Sequence, residues 1–529
     1  MAKPKPKPQL SLQSAHIADD AAGIPDDHWC RLFFRYIYCA LDESMFADMY
    51  QEGGRAPISP VLLTAITILQ YLFQVGDRLA VDATIMRRDW RIALGLTRDW
   101  TGFCPTVLVD FRKRLVGEPI RKGLPAPLRP QIGLIFEQIL RIIEQHGLLD
   151  GRRKVRTDAT KLVANVAVLG RADALQEAIR VVVCDLHKHH PNLLQQPEFR
   201  QLHETYGEEN WLGREGNAES RLVRLGRDGH RLLQLCGARP AAGKDTLAQM
   251  LAEHFVIADD GEPTPLARDQ ISSDHIASPH DPDAKVGKQD RDCWVGDKVH
   301  LTETADEGQP PFIIDVITTD PRIDDSEMTV ELAQRAKQRL PSVETMVVDT
   351  GYASAANTTD CAAAGLDLVS RPRPCTSPSK IPPHEFEFDF ERQVARCPEG
   401  HASASWRVEG HQFAIRFAAK TCAVCPRRAE CTTSSAHGRR VRIGQNYAQL
   451  LLDRQRAQTE EFAQEYRCRS AIESTISHLV HLCGLRRSRY RGAAKRALHA
   501  MFAATALNVR RLLPCLLPEY GPAVVPNTA

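Results

Sequence analysis

Val155-Arg156-Thr157-Asp158-Ala159-Thr160-Lys161-Leu162-Val163 alternates along its length and is rich in β-branched residues, the pattern of a strand. The chain on either side has a different period. From about 26 to 147 apolar positions recur at helical spacing, through Trp29, Leu32, Phe33, Tyr36 and Ile37 and then through 61–73. Ser59-Pro60 opens that second helix with a hydroxyl cap and a proline in the first turn. From about 171 to 258 the pattern is helical again. Strands resume at 294–304 and 311–319, and the loop Ala305-Asp306-Glu307-Gly308-Gln309 marks a hairpin between them. A helix at 328–339, a strand at 345–349, a helix at 353–364 and a strand at 366–370 follow. This order predicts a mixed α/β layer fold, with no internal repeats.

With 529 residues the chain has room for two to four domains. Apolar content of 43% and charged content of 25% are those of a soluble globular protein. Formal net charge is only +2, but 437–511 holds fifteen Lys+Arg against five Asp+Glu. Such a block attracts phosphate backbones where it is exposed, and a solvated helical face is the competing reading. No apolar run reaches the roughly 18–20 residues of a membrane span. Met1-Ala2-Lys3-Pro4-Lys5-Pro6-Lys7-Pro8 is basic without an apolar segment behind it. Fifteen cysteines, an odd number, fit a reducing compartment; the expected location is the cytoplasm, at the nucleoid. In the first helical region Arg87, Arg88, Arg91, Arg112 and Arg114 allow a DNA-gripping helix-turn-helix or, equally, a structural or dimerising unit.

Near the C-terminus Tyr466, Arg469 and Glu473 stand at i, i+3 and i+7, one face of a helix. Behind them runs Gly484-Leu485-Arg486-Arg487-Ser488-Arg489-Tyr490-Arg491-Gly492. Asp158 and Asp349 lie at predicted strand ends, and Glu473 supplies a third carboxylate. Hard oxygen ligands of this kind hold Mg²⁺ or Mn²⁺ for phosphoryl transfer, and two such ions make an in-line clamp. Any one strand-end Asp is more often a turn residue or a cap; the inference rests on the three together. Cys397, Cys422, Cys425 and Cys431 surround a C-x₂-C. One structural Zn²⁺ on the four thiolates, with His401 as a substitute ligand, is one reading; a plain reduced cluster is the other.

These stretches resemble the DDE transposases of bacterial insertion sequences. The likeness runs from about residue 26 to 512 and is carried by VRTDATKLVANV at 155–166, WVGDKVHLTET at 294–304, VVDTGY at 347–352, and Tyr466 to Glu473 with the following GLRRSRYRG. The last resembles the start of a Y-(2)-R-(3)-E-(6)-K signature, whose lysine falls on Val480 here; relatives often carry an aromatic where Asp297 stands. The resemblance implies an RNase H-like catalytic core with Asp158, Asp349 and Glu473 as the catalytic, metal-holding triad. Tyr466 and Arg469 would hold the helix and the DNA backbone, and Arg486, Arg487, Arg489 and Arg491 would add DNA contacts. The partner it implies is double-stranded DNA, at inverted-repeat ends and target, bound by a homodimer or higher assembly without a membrane. The reaction it implies is metal-dependent cleavage at element ends followed by strand transfer. The alternatives are an RNase H-fold nuclease without strand transfer and a non-catalytic DNA-binding protein derived from a transposase.

The expected organisation is a basic tail at 1–25, an all-α domain at 26–147, and a core formed by 148–170, 293–375 and 441–512. A helical insertion at 171–292, a Cys-rich zinc-ribbon-like insertion at 382–440 and a tail at 513–529 complete it.

Overall fold

The computed structural model describes residues 21–50, 58–119, 131–207, 218–258, 261–289, 292–374, 381–434 and 436–517. Most of the two expected tails and the polar stretch near 206–219 lie outside these residues. The predicted strand forms as β1 (Lys154–Val163), and it is the middle of a mixed sheet. On one side β2 (Asp292–Thr304) runs antiparallel to it, Asp158 opposite Leu301, and β3 (Ile313–Thr319) pairs antiparallel to β2. On the other side β4 (Thr345–Val348) and β5 (Asp367–Val369) run parallel to β1, with Thr157 opposite Val348. The order β3-β2-β1-β4-β5, three antiparallel strands followed by two parallel ones, is the RNase H-like arrangement that the resemblance implied.

The helical insertion stops sooner than expected. Lys285–Gln289 is a strand that pairs antiparallel with the start of β2, and Phe255–Ile257 pairs with Pro263–Pro265 in a short hairpin. Gly287 makes the first of these possible, because a Cβ there would sit 2.5 Å from the Trp294 ring across the strand pair. Gly296 is needed for a harder reason. A side chain there would approach the carbonyl oxygen of Leu162 to 2.0 Å, where the sheet turns close on itself.

Helices cover the sheet and carry its core outward. One hydrophobic cluster contains Ile66 and Leu69 of α1 (Pro60–Leu72) and Ile139 and Ile143 of α2 (Leu134–Gln145). The same cluster takes in Leu162, Val299, Leu301 and Ile314 of the sheet, Leu332 of α4 (Asp325–Arg339), and Leu507 of the last helix, α9 (Ala493–Cys515). The insertion, from α3 (Arg171–His189) onward, has its own core around Val182, Phe199, Leu232 and Met250. α4 starts as its sequence dictates, with Asp324 and Glu327 forming a reciprocal capping box.

Two buried charge networks lock the helices to the sheet. Glu303 on β2 is fully buried and accepts from Arg156 of β1 at 2.7 Å, from Arg511 of α9 at 2.9 Å and from the Thr475 hydroxyl at 2.8 Å. Thr475 belongs to α8 (Ala471–Cys483). In the second network Arg496 of α9, also fully buried, donates to Asp281 at 2.5 Å and to both oxygens of Asp297. Asp297 is therefore the partner that a buried guanidinium requires.

Three histidines are held neutral inside. Burial lowers His254 and His300 to about 4 and His499 to about 3, with Arg171, Lys298 and Arg489 respectively adding to the effect. In the unfolded chain they titrate near 6.5, so below that pH the unfolded state binds protons the native state refuses. Native stability is complete above pH ~6.5 and falls as pH drops toward ~4, by up to roughly 1.4 kcal/mol per pH unit per histidine; urea unfolding across that range measures it. Glu303→Ala strips the anion from two buried arginines and is expected to cost about 3–5 kcal/mol, read as a lower urea midpoint with an unchanged m-value.

Candidate functional site

Asp158 follows Thr157 on β1, and Asp349 follows Val348 at the end of β4. Since Thr157 and Val348 are register partners on parallel strands, the two acids stand side by side; Asp349 lies just past the end of β4, whereas Asp158 is not at a strand end as expected but inside β1, opposite Leu301 of β2. Their backbones fix them further. The Ala159 N–H donates to Asp158 at 2.7 Å, and the Gly351 N–H donates to Asp349 at 2.8 Å in an Asx-type turn. Behind this turn the Tyr352 ring is fully buried and its hydroxyl meets His300 Nδ1 at 2.7 Å, while Thr329 Oγ1 and Asn357 Nδ2, the latter from α5 (Ala355–Ala363), donate to its carbonyl. His300 is thus a structural clamp on the loop that presents Asp349.

Glu473 arrives from the first turn of α8. Tyr466, Arg469 and Glu473 do not lie on one continuous α-helix, however. α7 (Glu460–Tyr466) ends at the tyrosine, Arg467–Ser470 forms a 3₁₀ turn, and α8 begins after it. The sheet draws off a carbonyl at this break: Arg156 Nη1 donates to Cys468 O at 3.0 Å, which competes with the helical ladder. The turn aims Arg469 into the acids. Its guanidinium lies 3.1 Å from Asp158, 4.0 Å from Asp349 and 2.6 Å from Glu473. The three predicted carboxylates therefore converge on one cation supplied by the chain itself.

Asp158 is the most enclosed of the three. Burial pushes it up to about 6, Arg469 pulls it down, and Asp349 and Asp325 raise it again. Asp325, at the start of α4, is an acid the sequence did not reveal as part of the site, since Asp324-Asp325-Ser326 has the form of a plain helix cap. A Cβ on Gly351 would lie 3.0 Å from an Asp349 oxygen and 3.2 Å from one of Asp325, so the two carboxylates flank this glycine. Lys298 of β2 balances Asp325 at 2.9 Å. Arg371 and Arg373, in the Arg-Pro-Arg-Pro segment after β5, were also missed. Arg371 lies over the Tyr466 ring at 5.1 Å, and Arg373 holds the carbonyl of Gly351 at 2.8 Å. Alternation with prolines, which keeps the backbone extended, was the available signal. Tyr466 itself stacks on Phe462, ring centroids 5.4 Å apart.

The basic run after α8 divides. It lies along the end of β1, Val163 bridging Arg487 in parallel. Arg486 turns inward to the hydroxyl of Thr160 and the carbonyl of Lys161, 3.2 and 2.9 Å away. Arg489 is spent on the Tyr71 ring at 4.7 Å and the carbonyl of Val75 at 2.8 Å. Arg487 and Arg491 are exposed, Arg491 donating to the carbonyl of Asn165 at 3.2 Å.

The four cysteines of the insertion come close together: burial raises the Cys431 thiol, and Cys422, Cys425 and Cys397 are near enough to add to it. Arg439 ties that loop, its backbone N–H donating to Cys422 Sγ at 3.4 Å and its guanidinium to the carbonyls of Cys431 and Ile381, both at 2.8 Å. Among the described residues no three of His, Cys, Asp and Glu are arranged to hold a metal ion. For Asp158, Asp349 and Glu473 the geometry gives the reason, because their oxygens are turned onto Arg469.

Two family models match. Residues 396–513 match a transposase DDE domain, a span that includes the four cysteines, Tyr466, Arg469 and Glu473 but neither Asp158 nor Asp349. Residues 21–114 match a transposase domain (DUF772). No curated protein sequence matches. Among solved structures there is a loose likeness to a piggyBac transposase synaptic complex with hairpin DNA, at 9% identity and a TM-score of 0.29, covering 93% of this chain and 76% of that one. The chain is thus similar to transposase domains at two separate places, one near each end.

Proposed function

We propose that the chain is an insertion-sequence transposase that cuts DNA at the element's ends and joins the freed 3′-hydroxyl to target DNA. The observation that carries this is the convergence of Asp158, Asp349 and Glu473 from β1, β4 and α8 onto one point beside an arginine. The donor set fits a hard divalent cation, being carboxylate oxygen throughout. Asp158, Asp349 and Glu473 would hold Mg²⁺ or Mn²⁺, two ions in the full site, which when bound supply activation of the attacking oxygen and stabilisation of the leaving one.

The rest of the work falls to the chain. No protein nucleophile is needed; catalysis is positioning and charge stabilisation of an in-line displacement. Arg469, once off the acids, would be free to pair with a scissile phosphate, which its planar fork matches bidentately as it does a carboxylate. Tyr466, held between Phe462 and Arg371, keeps the 3₁₀ turn in place. Exposed Arg487 and Arg491 are suited to backbone contact, whereas Arg489 serves packing. The DNA partner is double-stranded, and bringing two ends together calls for at least a dimer. Cys397, Cys422, Cys425 and Cys431 are free thiols that are not arranged to hold the expected Zn²⁺ among the described residues, so the insertion is read as a plain reduced cluster.

Cleavage of the gene's flanking DNA with Mg²⁺ or Mn²⁺ tests the assignment. Asp158→Asn, Asp349→Asn and Glu473→Gln should each lower the rate by more than the roughly 10–100-fold typical of outer-shell changes at metal sites. Cutting that survives Asp349→Asn would overturn the triad. A second expectation concerns Arg469. Because its guanidinium competes for the same oxygens, Arg469→Gln should tighten Mn²⁺ binding by DNA-free protein roughly tenfold, about 1.4 kcal/mol, while slowing cleavage. Calorimetric titration with Mn²⁺ reads the first effect directly, and unchanged affinity would mean that the arginine yields the acids without cost.

A further inference from the structure

The Cys-rich insertion carries a charged surface that its own fold does not need. Its sheet consists of β6 (Ser405–Glu409), β7 (Gln412–Arg416) and β8 (Arg440–Gly444), all antiparallel. One face is apolar: Trp406, Ile415 and Val441 share a rung, and Phe413 and Ile443 share the rung two residues on. These pack with Phe386, Phe388 and Phe417 into the unit's core. Strand alternation turns the other face outward.

On that outer face the register sets Ser405, Arg416 and Arg440 on one rung and Arg407, Ala414 and Arg442 on the next of the same face. All four arginines are exposed, while Ala414 between two of them is 2% exposed. With strands about 4.8 Å apart and like-facing rungs about 6.7 Å apart, the four guanidinium groups start from a patch roughly 10 by 7 Å. Glu409 answers two of them, pairing with Arg440 and lying 3.9 Å from Arg442. Arg407 and Arg416 form no ion pair among the described residues. Arg416 and Arg440 are directly opposite each other, an arrangement that destabilises a sheet. The fold gains nothing from it, and β-branched residues would suit these positions better.

We infer that this four-arginine face is a docking surface for the phosphate backbone of DNA, separate from the catalytic acids. The inference rests on the transposase function proposed above. Charge complementarity favours this occupant, and a face built from arginines and almost no amide side chains suits sequence-independent contact better than base readout. Its tether favours it as well. β8 passes into α6 (Tyr447–Arg456), a helix roughly 15 Å long, whose Arg456 grips Asp367 of β5 at 2.6 Å and Glu465 of α7 at 2.9 Å. The arginine face is thereby tied to β5, the parallel neighbour of the strand that presents Asp349, and to α7, which leads into the turn that carries Arg469, so DNA engaged on one is positioned for the other.

The test is equilibrium binding of full-length protein to double-stranded DNA, followed over a salt series in the absence of cleavage-supporting metal. Each phosphate contact contributes about 0.9 to the slope of log K against log salt. Removing three arginines as Arg407→Ala, Arg416→Ala and Arg442→Ala together, with Arg440 left to its glutamate, should flatten the slope by about 2.7. Affinity should fall alike for end-sequence and random DNA. The corresponding triple lysine variant should keep the wild-type slope. An alanine variant that binds with unchanged slope and affinity overturns the inference, as does a lysine variant that loses as much as the alanine one, which would mark a folding role. Wild type that binds DNA and loses slope in the alanine variant, yet never cuts, leaves the face standing and removes the catalytic reading. Wild type that binds no DNA removes both.

Discussion

A single buried carboxylate, Glu303, sets the geometry on which the rest of the molecule depends. It sits on β2, and its partners come from three other places: Arg156 on β1, Thr475 on α8 and Arg511 on α9. An isolated anion there would be prohibitively costly; with two guanidinium groups and a hydroxyl it becomes a tie that tolerates little displacement. Arg156 uses its remaining donor on the carbonyl of Cys468. The same network that fastens the helices to the sheet thus also shapes the turn that aims Arg469, and the positions of Asp158 and Glu473 follow from one set of charges.

The site above this tie is built against its own repulsion. Asp158, Asp349, Asp325 and Glu473 gather where the sheet ends, and Arg469 and Lys298 are the cations that make the gathering tolerable. Asp158 is displaced upward chiefly by its burial, with Asp349 and Asp325 adding to it. The chain therefore keeps an internal counter-ion in place, and any other cation has to compete with it. Such a design favours ligands that compensate Arg469 for what it gives up, and a phosphate does so.

Much of the architecture could be read from the residues. β1 alternates cleanly, the hairpin loop 305–309 lies between two strands of the right length, and Asp324 with Glu327 announces α4. Asp158, Asp349 and the acid of α8 were legible because they are separated by elements whose periods are clear, although Asp158 sits inside β1 and not at its end. Other features depend on long-range contacts that no local pattern records. At the 3₁₀ break of 467–470 the Cys468 carbonyl accepts from Arg156, 312 residues earlier. Arg489 has the form of a DNA contact, yet it is claimed by Tyr71 of α1. Asp325 looks like a cap until the fold brings Gly351 against it. Lys285–Gln289 is too short to interrupt a helical pattern by itself, and only its pairing with β2 makes it a strand.

The first and last helical parts of the chain lie in one core. Tyr71 of α1 meets the His499 imidazole of α9 at 2.8 Å, a contact between residues 428 positions apart, and α9 also packs on α2 and β3. During synthesis the early helices are therefore made long before the helix that completes their packing. For most of that time their apolar faces have no native partner, and such high sequence separation slows folding. The C-terminal helix thus acts as a closing step for the whole molecule: a polypeptide released before it is complete has all three converging acids and no finished core to hold them.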